Sequence, residues 1–164
     1  MAKISALTGS HNYFEDFEVG MSIRHARGKT LTNLDNVLIT NMVMNTAQGH
    51  FNEHERRLNG GAFGEGKIVS FGGVNLSMVL GLAAQDCIEN ALEELGLDNI
   101  KLSRAVTHGD TLYAYSEVLE KRDTERADAG IVRFRHYGFN QDDEQVAQIE
   151  RIVLMKRKSH WGER

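Results

Sequence analysis

One stretch constrains this chain more than any other. From Gly72 to Leu95, the residues Leu76, Val79, Leu80, Ala83, Cys87 and Ala91 recur at helical spacing. In the first half, Val74, Met78, Leu82 and Ala84 make the other faces apolar too. A helix that is apolar all round must be buried all round. The second half turns amphipathic, with Asp86, Glu89, Glu93 and Glu94 on the wet side, and Gly96 offers a C-terminal stop. At about 1.5 Å per residue such a helix runs roughly 35 Å. The rest of a 164-residue chain has to wrap it, and Leu80 and Ala83 should lie fully buried against the wrapping.

The C-terminal third of the chain can do the wrapping. Segments 98–106, 111–122, 129–140 and 145–157 read as strands, and the polar connections Arg122 to Ala129 and Asn140 to Glu144 suit hairpins. Val132, Phe134 and His136 share one strand face, opposite Arg133 and Arg135. Ahead of the helix, residues 1–20 read as an N-terminal arm anchored by Phe14, Phe17 and Val19. Residues 21–31 form a strand in which Met21, Ile23 and His25 alternate with polar neighbours. Thr32 followed by Asp35 is a near-capping box that opens a helix carrying Val37, Leu38, Met42 and Met44. Residues 45–67 read as a glycine-rich polar loop with one helical turn at most. The expected architecture is a single α+β domain over residues 1–164, an antiparallel sheet curled round one long helix.

Composition narrows the function. Apolar residues make up 41 % and charged residues 26 %, as in a soluble globular domain. Nineteen basic against 23 acidic residues give a net charge of −4, which argues against nucleic-acid binding by bulk electrostatics. Cys87 is the only cysteine, so no intramolecular disulfide and no cysteine-based zinc site is expected, and a reducing cytoplasm fits. The opening residues hold no apolar run of signal-peptide length. Val74 to Ala84 is shorter than the roughly 20 residues a bilayer requires, so no membrane partner is expected. Proline is absent, which leaves 16 glycines to make the turns.

His50 is the leading candidate for chemistry. It follows Gly49 in the polar loop, five residues after Asn45, and histidine is the common acid–base side chain near neutral pH. His50 to His54 (HFNEH) also fits H-x-x-E-H, a zinc pattern that needs both histidines on one helical face. The loop context favours a solvent-facing Glu53 and His54 instead. Ser70-Phe71-Gly72-Gly73 opens the long helix, where free N–H groups can hold a developing oxyanion. The plain alternative is a tight turn, with Ser70 as a helix cap. Gly109-Asp110 reads as a turn, Met42, Met44 and Met78 as core fillers, and Lys156 to Lys158 as a solvated strand end.

The order of these motifs is T-x-x-D, N-x-x-x-x-H ending at His50, GKIVSFGG over Gly66 to Gly73, a long helix, then VTHGDTL over Val106 to Leu112. Over roughly residues 14–158 it resembles the MaoC-like hydratases of the hotdog superfamily, and is most similar to their mesaconyl-CoA hydratase branch. The resemblance implies a hotdog fold that pairs into a homodimer or higher homo-oligomer. It also implies hydration of an enoyl-CoA thioester, or dehydration of a 3-hydroxyacyl-CoA, with no cofactor beyond the CoA of the substrate. The family's pattern D-x-N-P-x-H becomes Asn45, Ala47, Gln48 and His50 here. His50 is then the acid–base group and Asn45 the residue that orients water, since an amide cannot be a base. Ser70, Phe71, Gly72 and Gly73 line the substrate, and Arg56, Arg57 and Arg104 are candidates for the CoA phosphates. A hotdog thioesterase and a non-catalytic acyl-CoA-binding subunit are the competing readings.

Overall fold

The computed structural model describes residues 3–4, 12–59 and 66–162. Most of the expected arm (residues 1, 2 and 5–11) and the glycine-rich segment 60–65 lie outside the described residues. Four strands sit within a residue or so of their predicted limits: β2 (Ser22–Thr30), β4 (Thr111–Asp123), β5 (Ala129–Phe139) and β6 (Gln145–Lys156). With β1 (Lys3–Ile4) and β3 (Ala91–Leu102) they form one sheet in the order β1-β2-β4-β5-β6-β3. Only β1 pairs in parallel, with β2. The helices are α1 (Asn33–Met42), α2 (Glu53–Asn59), α3 (Gly72–Cys87) and the short α4 (Lys158–Trp161).

The sheet curls round α3 as expected. Alternation along the strands sends Ile23 and His25, Leu112 to Val118, and Val132 to Gly138 inward at every second residue. They meet Val74, Val79, Ala83 and Cys87 of the helix, all fully buried. On the outer face Arg133 and Arg135 bracket Glu150 across β5 and β6. Of the three apolar clusters among the described residues, two surround α3. One gathers Leu31, Val79, Val106 and Leu112 round the first half of α3, and the other gathers Phe14, Phe17, Phe134 and Met155 round Cys87. At Gly138 a side chain would collide with Val79; glycine is what lets the helix seat on β5.

Several expectations need correction. The helix stops at Cys87 rather than Leu95, and Ala91–Leu102 is a strand. Ala-Leu-Glu-Glu-Leu favours a helix locally, but β6 has an edge to fill, and Ala91↔Met155 through Leu102↔Ala147 fill it. Gly96 lies at a register shift inside that strand rather than at a helix end. Strand β3 ends at Leu102 rather than at residue 106. Leu80 is only half-buried, because Val79 takes the inward position. Asp86 is buried rather than wet, since it faces His25. The capping box of Thr32 and Asp35 forms, but α1 is turned round. It buries Asn36 and Thr40 while Val37, Leu38 and Met42 face outward, as does Met44 beyond it. Val19 is exposed and anchors nothing. The 45–67 loop contains the two-turn α2 as well as a 3-10 turn over Gln48–His50.

Candidate active site

His50 is delivered by the 3-10 turn and clamped from two sides. Its ring Nδ1 lies 2.8 Å from the carbonyl of Val69. A carbonyl can only accept, so Nδ1 carries the proton and the neutral ring presents Nε2 as its lone-pair nitrogen. No described residue takes a hydrogen bond from, or gives one to, that Nε2. The His50 main-chain carbonyl accepts from Asn36 Nδ2 at 2.7 Å, and Asn36 Oδ1 accepts the N–H of Phe71 at 3.0 Å. One buried amide of α1 thus pins both the histidine turn and the start of α3. Val69 N–H donates to Gly49, and Ser70 N–H to Val106, closing the frame.

A cavity of about 360 Å³ opens beside this frame, lined by Gly49, His50, Val69, Ser70, Gly72 and Asn75, with Leu102 to Ala105 and Arg56 opposite. Ser70 is buried and its hydroxyl donates to Asn75 Oδ1 at 2.8 Å, so it does not cap the helix. Gly72 stands at the first helical position, where N–H groups have no partner within the helix. Phe71 packs edge-on against the His50 ring, 5.8 Å between centroids. Its own ring lies over Gly73, where any side chain would collide with it. The structure therefore gathers His50, Ser70 and Gly72 on one cavity, with Phe71 and Gly73 behind the histidine. Asn45 stands apart. Its Oδ1 accepts the N–H of Ala47 at 2.9 Å, and it is not among the described residues that line the cavity.

Arg56 and Arg104 line the cavity, Arg56 donating to the Lys67 carbonyl and Arg104 pairing with Glu144 at 3.0 Å, and Arg57 pairs with Glu53 on the other side of α2. The zinc pattern does not assemble. His50 precedes α2 and its Nδ1 is taken by Val69, while His54 is exposed on the helix. Thr107 donates to Asp110 at 2.8 Å through its N–H, which makes Gly109-Asp110 the expected turn into β4.

Sequence reasoning missed two groups. Asn36 and Asn75 belong to none of the motifs that the sequence offers. The signal was Asn36 with Thr40, a polar i, i+4 pair sharing one face. The second group is a buried polar cluster at the far end of α3. There, Asp86 Oδ2 accepts from His25 Nδ1 at 2.7 Å, and Ser116 Oγ sits 2.6 Å from both His25 Nε2 and His136 Nδ1. The order Asp86–His25–Ser116 matches a hydrolytic triad, but Ser116 is buried in the core and lines none of the described cavities. His25, Cys87 and His136 also bring ligand atoms within 4.8 Å of one another. Both histidines hydrogen-bond the Ser116 hydroxyl. Burial drives the Cys87 thiol up to about 12 and holds His136 down at about 3, with Arg151 and His25 adding to the latter. The cluster is thus neutral at its thiol and imidazole, and it reads as a structural tie.

A long helix wrapped by one curled antiparallel sheet is the hotdog fold, and the chain is similar to MaoC-like members of it. The structure superposes on a MaoC domain protein from Chloroflexus aurantiacus with a TM-score of 0.82 and 30 % identity, over 91 % of this chain and 46 % of that one. The family model for mesaconyl-CoA hydratase matches residues 5–157, and the chain belongs to that family. Among its relatives, the β-methylmalyl-CoA dehydratase of Chloroflexus aurantiacus is 34 % identical over 131 residues, covering 79 % of this chain and 36 % of that protein. The mesaconyl-CoA hydratase of Haloarcula marismortui is 32 % identical over 159 residues, covering 88 % and 42 %. The chain thus spans less than half the length of these curated relatives. No helix among the described residues is long and apolar enough to cross a membrane.

Proposed function

We propose that this domain hydrates an enoyl-CoA thioester reversibly. The observation that carries the reading is His50, its Nδ1–H held by the Val69 carbonyl and its Nε2 without a hydrogen-bond partner among the described residues, beside a cavity at the start of α3. Water loses a proton to His50 Nε2 as its oxygen bonds to the β-carbon. The displaced electron pair moves to the thioester oxygen, which the N–H groups near Gly72 hold as an enolate. The imidazolium then returns the proton to the α-carbon. The sum adds water across a double bond, with no change of oxidation state overall, so the chemistry calls on no redox partner. Arg56 and Arg104 line the cavity, Arg104 with its charge shared with Glu144 at 3.0 Å, and they are the cationic groups placed to meet a CoA phosphate or an acyl carboxylate. A thioesterase usually activates water with a carboxylate, and none lines the cavity among the described residues.

Loss of absorbance from an enoyl-CoA, mesaconyl-CoA first, tests the reading; thiol release would mark a thioesterase, and neither signal a binding subunit. His50→Ala should lower turnover by at least about 10²-fold and His54→Ala should leave it unchanged. Equal losses would overturn the assignment. Asn45, which stands outside the described lining of the cavity, is kept as the residue that orients the water through the Nδ2 that Ala47 leaves unused. Asn45→Ala should then lower kcat with little effect on binding; wild-type kinetics would confine Asn45 to its turn.

Two such domains pair along β3 in this reading. That edge exposes Leu95, Leu97, Ile100 and Leu102, and Leu102 also lines the cavity, so a partner there would border the site.

A further inference from the structure

Asn75 sits three residues into α3, on the same helical face as Gly72. It is 3 % exposed, yet it lines the cavity. Its Oδ1 is occupied by the Ser70 hydroxyl at 2.8 Å, and Ser70 is held in turn through its N–H to Val106. Its N–H2 has no acceptor among the described residues. The residue is buried but its N–H2 is not sealed off, and a donor left without a protein acceptor on a cavity wall is available to a ligand or water. Asn75 is also the one uncharged side-chain amide on the cavity, among the described residues, opposite a histidine and beside a helix N-terminus.

We propose that Asn75 is a catalytic residue whose Nδ2 donates to the thioester oxygen, next to the backbone donor at Gly72. This rests on the hydratase reading above. The placement has a simple logic. Base and donors stand on different elements, the 3-10 turn and the first turn of α3, so an acyl group lying between them meets His50 at the β-carbon and α3 at its carbonyl. Charge develops on that oxygen as the β-carbon is attacked, and a fixed amide N–H, reinforced by the positive end of α3, stabilises it more in the transition state than in the ground state. Ser70 acts as the positioning residue, fixing which end of the amide faces the cavity.

Asn75→Asp is the discriminating variant. It keeps an oxygen for the Ser70 hydroxyl and removes the donor, placing negative charge where the enolate would form. With crotonyl-CoA or mesaconyl-CoA, its kcat should fall by about 10²–10³-fold, the loss typical of one oxyanion donor, with KM nearly unchanged. Asn75→Ala should fall with it. If Asn75→Ala loses activity while Asn75→Asp keeps it, Asn75 serves only to hold Ser70, and the proposal is overturned. A spectroscopic arm reads the contact without turnover. In a His50→Gln background, bound hexadienoyl-CoA should absorb to the red because the donors at Gly72 and Asn75 polarise its carbonyl, and adding Asn75→Asp should clearly reduce that shift. A shift of unchanged size overturns the proposal. Hydration by the wild type with unaffected Asn75 variants sinks this inference alone, whereas absence of hydration by the wild type sinks the hydratase reading itself.

Discussion

His50 and His136 show how surroundings give one side chain two characters. His50 lends a carbonyl its Nδ1 proton and keeps Nε2 toward a cavity. His136 is wholly buried, stacked on Phe134, with Nδ1 on Ser116 and no described partner at Nε2. It faces Ser116, Cys87, His25 and Arg151, and burial first, then the charges of Arg151 and His25, holds its pKa at about 3. His25 is lowered too, by burial, against the opposing pull of Asp86. Linkage sets the sign. Below the ordinary value of 6.5 the unfolded chain takes up protons that the folded chain refuses, so stability is intact above pH 6.5 and declines as pH falls from there toward about 3. The slope reaches about 1.4 kcal/mol per pH unit for His136. Urea midpoints should therefore drop between about pH 7.5 and pH 5, and His136→Gln should flatten the drop; an unchanged slope would mean that His136 is protonated in the fold. At this scale the sequence was partly legible. His50 stood out because a histidine after glycine in a polar loop has few structural duties. His25 and His136 were placed on their inward faces by alternation, but pairing across strands is invisible in one strand's pattern.

Among the elements, α3 was legible as a buried helix, but its end was not. Three register shifts within β3 break the two-residue alternation that would have marked a strand, so 91–95 kept only its helical propensity. The identity of the inward residue was also one position off, Val79 instead of Leu80, since both fit the spacing of an all-apolar helix. Val79→Ala should destabilise by about 2 kcal/mol, from two lost methyl groups and the space they leave, and Leu80→Ala by less. Gly138→Ala should cost about 1–3 kcal/mol by overpacking against Val79. Because the two sites share that contact, the double variant should be less destabilised than the sum of the singles in a denaturation cycle. Simple additivity would show that the helix does not seat on Gly138. The outward apolar face of α1 went unread for the reason that hid Asn36: sequence periodicity assigns the apolar stripe inward by default.

At the scale of the molecule, α3 fastens the cavity at its start to the buried polar cluster at Asp86, about 21 Å along the helix axis. The sheet leaves β3 as an edge with apolar side chains in water, the feature behind the proposed pairing. Light scattering should give twice the mass of one chain, and Leu97→Lys with Ile100→Lys should halve it; a monomeric wild type would refute the pairing. Single-chain reasoning could name the fold's wrapping because burial is a property of the chain itself. It could not locate the cavity, which forms where the loop before α2, the start of α3 and the segment after β3 meet. The frame round His50 also governs how such a site drifts over time. The atom that fixes the His50 tautomer is the main-chain oxygen of Val69, and Val69 is itself bridged to Thr107. A carbonyl is the same in every amino acid, so substitution at position 69 can proceed while the proton stays on Nδ1. A ranking of positions by their invariance would pass over this partner of the histidine altogether.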